Sequence, residues 1–433
     1  MKNKYIIFSI VVLVLFVTLS VSFDKFKTTN TYIEDSSSNQ IKVTKGISMN
    51  LEQTAGAGDY KTVTRSKWPT EGYKFNSELS RCENGSKISW DDTNNTVVVS
   101  GNLSDKCYVY FDIYVPTIAD YCSSGTELAS CIKHFGNLGL SVSAIYIHNS
   151  SLTNGAGDNS YRYAGASDQV NNFVCFGFFT KKSCPEDNLY RIIGVFGDNV
   201  RLIKYDYANS NLLGTNGDYK GSSTPDSSSY KGSLTSIDAY YWNYKNNTSI
   251  NNGWGSNEWS TSLLNKINLN TNYLINIGTT WSNLIEDAEW KVSGHTTSGV
   301  TPSEMYTAEI TNATKTYGNI DGTSKIGLMY ASDYGFAASP SAWTKTLYSY
   351  DGNDVNGTSI KTINWMYMGN DDLTITTYSS TSYGVFYLSY DGILEYGDAH
   401  YECGSRPVFY LKSSVLYAGG SGTKDSPIIL VVW

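Results

Sequence analysis

Apolar positions change character three times along this chain. Tyr5 to Phe23 is a continuous uncharged run, with Met1-Lys2-Asn3-Lys4 before it and Asp24-Lys25 after it. From about 40 to 116 apolar residues come in short, polar-interrupted runs. These are Ile41-Lys42-Val43-Thr44, Lys87-Ile88-Ser89-Trp90, Thr96-Val97-Val98-Val99 and Cys107-Tyr108-Val109-Tyr110-Phe111. A period near two predicts strands, and Asp91-Asp92-Thr93-Asn94-Asn95 predicts the turn between two of them. The expectation for 40–116 is a small all-β unit, a β-sandwich. Residues 117–155 read as a connector with a short helix. Thr126 to Phe135 has helical spacing with Thr126 as N-cap, and Ser143 to Ile147 reads as a strand.

From 156 to 433 strand and helix patterns mix, which predicts an α+β unit. Strands are expected at Asn172–Gly177, at Leu189–Phe196 and, across the turn Gly197-Asp198-Asn199, at Val200–Tyr205. Helical spacing appears over Glu258–Ile267 and Tyr273–Leu284. Apolar runs follow at Lys325–Tyr334, Asn364–Gly369, Gly384–Leu388 and Gly392–Leu394. The last is Arg406-Pro407-Val408-Phe409-Tyr410-Leu411. A proline ahead of such a run suits the edge or the start of a strand, since it has no N–H to give.

The N-terminal run is long enough for the ~30 Å hydrocarbon layer. Its basic head would stay inside and the bulk of the chain outside. Residues 1–23 are therefore read as a signal anchor, a transmembrane helix, and 24–39, rich in Thr, Ser and Asn, as a flexible stalk. Ser20-Val21-Ser22 also suits signal cleavage, so a secreted protein is the alternative. Export makes the cysteines readable. Cys82 and Cys107, Cys122 and Cys131, and Cys175 and Cys184 form neighbouring couples that suit local disulfides, leaving Cys403 over. Reduced, buried thiols are the other reading of any couple.

Composition narrows the partners. Charged residues are 17% of the 433, and the net charge is -8. A nucleic-acid partner needs a basic surface to neutralise phosphates, so that class is excluded. Thirty-five Tyr and 38 Gly favour sheets and turns.

The order of elements after residue 156 resembles the bacterial C-type-lectin-like fold in its formylglycine-generating-enzyme-like subclass. It is similar to a domain of unknown function in Firmicutes surface proteins. Five pieces carry the resemblance: Tyr190-Arg191-Ile192-Ile193-Gly194-Val195, Trp259-Ser260-Thr261-Ser262-Leu263-Leu264-Asn265, Lys325 to Ser332, Trp365 with Gly369, and Gly404 to Leu411. In that family the third piece is a strand and the fourth lies in a tryptophan-rich strand. The resemblance implies a C-type-lectin-like domain over 156–433, with recognition carried by the loops that correspond to Trp343–Asp398.

Chemistry points the same way. His134, His148, His295 and His400 are scattered, and no metalloprotease, nucleophile-elbow, Walker or dinucleotide motif occurs. The formylglycine-generating activity of the resembled family uses a cysteine pair near the C-terminus, and this chain has Cys403 alone there. No enzyme activity and no cofactor are expected. Asp351-Gly352-Asn353-Asp354 and Asn370-Asp371-Asp372 offer hard oxygens of the kind calcium takes, and also suit plain solvated turns. The expected binding surface consists of Trp343, Tyr348 and Tyr350, then Asn370, Asp371 and Asp372, then Tyr378, Tyr383 and Tyr390. Rigid amphipathic rings beside small hydrogen-bonding residues suit a glycan or a protein partner. Trp259, Trp365 and Arg406 are assigned to structure, Arg406 as a buried fork for a carboxylate or strand carbonyls. The reading is a membrane-anchored surface protein with a non-catalytic ligand-binding or adhesion module. A structural envelope or appendage component, or an enzyme of the formylglycine-generating type, are the alternatives.

Overall fold

The computed structural model describes residues 46–69, 72–102, 104–178, 183–225, 228–244, 253–315, 321–350 and 359–432. The anchor at 1–23, the stalk at 24–39, the strand expected at Ile41–Thr44 and the Asp351–Asp354 turn all lie outside them. The chain divides between Pro116 and Thr117 into two units. Strands outweigh helices, and the class is α+β. Among the described residues no helix is long and apolar enough to cross a membrane.

The first unit holds β1 (Ile47–Glu52), β2 (Tyr60–Val63), β3 (Tyr73–Cys82), β4 (Lys87–Asp91), β5 (Thr96–Ser100) and β6 (Cys107–Ile113). Four strands form one sheet in the order β2-β1-β6-β3, and β4-β5 is a separate hairpin. Both contribute to one apolar layer. Leu51, Val109 and Phe111 come from the sheet, and Ile88, Trp90 and Val97 from the hairpin. The Phe111 ring meets Trp90 edge-on at 5.6 Å and Phe75 at 5.9 Å. Cys82 and Cys107 face each other across β3 and β6 and are bonded. The hairpin and β6 match their expected spans closely. β1 and β3 carry less regular patterns, and the sequence did not mark them.

The second unit adds β7 (Ile145–Ile147), β8 (Tyr161–Tyr163), β9 (Phe173–Cys175), β10 (Leu189–Phe196), β11 (Asn199–Lys204), β12 (Tyr219–Ser223) and β13 (Ile237–Tyr241). Then come β14 (Ala288–Lys291), β15 (Asp321–Ser324), β16 (Ile326–Gly327), β17 (Asp372–Thr377), β18 (Gly384–Leu388), β19 (Leu394–Asp398), β20 (Glu402–Gly404) and β21 (Val408–Tyr410). One sheet runs β16-β21-β11-β10-β8-β7, with β9 also paired to β10. A second runs β12-β13-β20-β17-β18-β19. The helix Leu128–Asn137 turns Leu128, Cys131, Ile132 and Phe135 into the same core as β10 and β11. Disulfides join Cys122 to Cys131 and Cys175 to Cys184.

Several expectations are corrected. Residues 117–155 are not a connector but part of the second unit, with β7 as an outer strand of its sheet. Lys325–Ser332 is not one strand. β16 has two residues, and a helix, Ala331–Ala337, starts where the Asp333 carboxylate accepts the Tyr330 N–H at 3.1 Å. Asn364–Gly369 is not a strand either; it follows the short helix Ile360–Ile363 as an irregular, buried turn. Of the two places expected for Pro407, the edge or the start of a strand, it takes the start, because β21 lies between β16 and β11. Pro407 stands just ahead of β21, where a missing N–H costs the ladder nothing, and its carbonyl accepts from Lys204 at 3.0 Å.

Candidate functional site

β18 and β19 pair so that Phe386 opposes Tyr396 and Tyr387 opposes Glu395. Side chains alternate across a strand, so this register sorts the rings onto two faces. On one, Tyr396 stacks on Tyr378 with centroids 4.5 Å apart and planes 13° from parallel. Phe386 backs both, at 5.9 Å from Tyr378 and 6.4 Å from Tyr396. On the other, the Tyr387 hydroxyl donates to Glu395 at 2.6 Å, and its ring lies 4.7 Å from Tyr401. The Tyr401 hydroxyl donates in turn to Asp371 at 3.1 Å. The other Asp371 oxygen accepts the Tyr390 N–H at 2.8 Å.

A separate loop brings Trp254 to the same end of the sheet. The Asn257 side chain donates to Thr381 O at 2.8 Å and Gly384 O at 3.2 Å, and its N–H donates to Ser382 O at 2.9 Å. These bonds set Trp254 5.1 Å from Tyr383. Gly255 permits the approach: its φ is +80°, and a Cβ there would stand 2.9 Å from Asn243 O and 3.0 Å from Ala399.

The site is the end of a sheet with an aromatic face, on which Tyr378 and Tyr396 stack, and an opposite face that carries Tyr387, Tyr401, Glu395 and Asp371. Tyr396 is 57% exposed, Tyr390 52% and Trp254 46%. Burial raises the Asp371 carboxyl above its ordinary range, against the pull of the Tyr390 N–H and the Tyr401 hydroxyl. Burial also raises the phenols of Tyr387 and Tyr401, and their acidic neighbours Glu395 and Asp371 raise them further. Both phenols therefore stay protonated and act as donors. The first face offers flat rings for stacking, while the carboxylates of the second are engaged by Tyr387, Tyr401 and the Tyr390 N–H and hold that face in order. Among the described residues no group of three His, Cys, Asp or Glu is placed to hold a metal ion.

Of the residues chosen from the sequence, Tyr378 falls on the first face, Asp371 on the second with Asn370 and Tyr390 next to it, and Tyr383 against Trp254. Tyr348 is exposed on the separate turn Leu347–Ser349. Trp343, Tyr350 and Asp372 are corrected: all three are buried. Trp343 packs on Phe336 at 5.8 Å and on His148 at 5.1 Å, and its indole N–H donates to Ala338 O at 3.0 Å. Tyr350 donates to Ala342 O at 3.1 Å. Asp372 belongs to Arg406, whose Nε donates to it at 2.5 Å while another guanidinium nitrogen donates to Met366 O at 2.9 Å. Trp259 lies 4.9 Å from Trp242 in the core, and Trp365 donates to Tyr163 O at 2.8 Å. Sequence reasoning missed Trp254, Tyr387, Glu395, Tyr396 and Tyr401. The alternation in Leu394-Glu395-Tyr396-Gly397-Asp398 is the signal that could have found two of them, Glu395 and Tyr396. No family model matches the chain, and neither a curated protein nor a solved structure is found similar to it.

Proposed function

We propose that this chain is a non-catalytic surface protein that binds an extracellular glycan, or failing that a protein, through the ring surface around Tyr396, Tyr378 and Trp254. The observation that carries the reading is the stacked, half-exposed Tyr378–Tyr396 pair, with the Trp254–Tyr383 pair at the same end of the sheet. Isolated exposed aromatics are ordinary, but stacked rings fixed by a sheet register and a pinned loop form a preorganised platform. The reading includes a C-type-lectin-like second unit, a sandwich-like first unit and the segment 1–23 as membrane anchor or cleaved signal. Three disulfides support an oxidising, extracellular setting. A formylglycine-generating reaction fits poorly: Cys403 is 2% exposed, and burial raises its thiol well above the ordinary value.

The test is a glycan and matrix-protein array probed with residues 40–433, in wild-type form and as Tyr396→Ala and Trp254→Ala. Binding that either substitution weakens about tenfold, with thermal stability unchanged, supports the proposal. Binding that neither substitution alters refutes the assigned surface, and ordered self-assembly without ligand favours the structural-component alternative.

A further inference from the structure

A second place in the second unit has the makings of a site and lies apart from the aromatic surface. A cavity of about 270 Å³ opens where β8, β11, β14 and β21 meet the start of the helix Ala331–Ala337. Gly194 on β10 pairs with Arg162 on one side and Arg201 on the other, and Arg201 pairs with Tyr410. The four residues thus form one row across four strands. Gly194 contributes no side chain to the row, and a Cβ there would stand 2.4 Å from Tyr161 O.

Both arginines end on Asp333. Arg162 donates to its Oδ1 at 3.0 Å, and Arg201 donates to the same oxygen. Oδ2 accepts the Tyr330 N–H. Asp158 is filled in the same way, taking Arg162 at 2.8 Å, the Tyr306 hydroxyl at 2.9 Å, and the Ser160 N–H and hydroxyl. The acidic groups of the wall are therefore already satisfied.

The donors are not. Arg201 is 3% exposed, yet its Nε–H has no partner. Ser332 is 1% exposed, and its hydroxyl, close to the Glu309 carboxyl behind it, makes no bond to it of good geometry and is free to turn toward the cavity. Lys291 lines the cavity and makes no ion pair with any described side chain. Tyr330 and Tyr410 each accept one bond, from Lys291 N and from Arg201, which leaves both hydroxyl protons to give. A buried donor left unmade carries a real desolvation cost; Arg201 Nε and Ser332 Oγ are two such atoms, and together with Lys291 and the hydroxyls of Tyr330 and Tyr410 on the same cavity they point to an acceptor-rich occupant. Charge sets how acidic that occupant is. Inside the rim stand Arg162, Arg201 and Lys291 against Asp158 and Asp333, with Glu289 out in solvent. One positive charge is left over, which suits one negative charge rather than two. Behind Ser332, burial lifts the Glu309 carboxyl to about 8, so it adds no repelling charge at neutral pH.

We propose that this cavity binds a small molecule through a single carboxylate, of the size of an amino acid or a uronic acid, held by Arg201 Nε, Ser332 Oγ and Lys291 Nζ. The proposal is independent of the aromatic surface. Isothermal titration at pH 8 with glucuronate, N-acetylneuraminate and N-acetylalaninate tests it, with glucose, N-acetylmannosamine and N-acetylalaninamide as uncharged counterparts and inorganic phosphate as the dianion. At least one acid is expected to bind at least tenfold more tightly than its uncharged counterpart and than phosphate. Ser332→Ala and Lys291→Met should each weaken that acid by roughly tenfold with the melting temperature held. Arg201→Lys should weaken it further, and if that variant fails to fold the other two decide. Trp254→Ala and Tyr396→Ala should leave it unchanged. The proposal is overturned if no acid outbinds its uncharged counterpart, if phosphate binds as tightly, or if both mild variants bind as the wild type does.

Discussion

Asp372 and Arg406 are each about 2% exposed and meet at 2.5 Å in the core. Burial pushes the Asp372 carboxyl up to about 6, against the pull of Arg406. Removing one partner of such a pair strands the other, so Arg406→Met should cost about 3–5 kcal/mol in denaturant unfolding. Replacing both residues by apolar ones should cost much less. Glu309 gives a pH prediction with a definite sign. Its folded value of about 8 lies above the ordinary 4.5, so the folded state holds its proton longer than the unfolded one. Its contribution is therefore most favourable below pH ~4.5 and declines as pH rises to about 8, by a few kcal/mol in all. Glu309→Gln should flatten that decline when unfolding is compared at pH 5 and pH 8. Arg406 was legible in the sequence as a buried fork. Its partner was not, because Asp372 stands next to Asp371 in a stretch that reads as a polar turn. Only the β17–β20 pairing, Asp372 opposite Gly404, sets one carboxylate inward while its neighbour meets the Tyr401 hydroxyl.

Among elements, those with a strict local signal were readable. β10 and β11 with their Gly197-Asp198 turn, the hairpin β4-β5 and the helix Leu128–Asn137 all follow from periodicity and turn chemistry. Failures came where tertiary contacts overrode local pattern. Within Lys325–Tyr334 the run Ile326–Ala331 is uninterrupted by polar residues, and such a run cannot distinguish a buried strand from a buried helix by period. Here Asp333 decides, by capping the Tyr330 N–H. The Cys82–Cys107 bond acts at this scale too. It closes a loop with a sequence separation of 25, which on the chain-entropy argument contributes about 3 kcal/mol. The double variant Cys82→Ala with Cys107→Ala should therefore lower the melting temperature of the first unit and leave that of the second in place, as read by calorimetry.

At the scale of the whole molecule, the chain is two units with separate cores, the first carrying one disulfide and the second two. Two unfolding transitions are expected by calorimetry under non-reducing conditions, and a single cooperative one would contradict the division. The second unit holds both candidate sites, one an exposed ring surface and the other an internal cavity fed by donors. They differ in how they could be seen beforehand. Tyrosine density is a property of composition, so the aromatic region was visible in outline. Arg162, Arg201 and Asp333 lie far apart in sequence and meet only through strand pairing, so no spacing rule could join them.

Trp254 has one more use. Trp242, Trp259, Trp290, Trp343 and Trp365 are sealed in the core, whereas Trp254 alone among the described tryptophans is prominently exposed. The protein's emission should accordingly split into a blue, shielded majority and a red-shifted component that iodide can reach. Any molecule settling on the ring surface would shade that component first, so occupancy could be followed optically without attaching a dye.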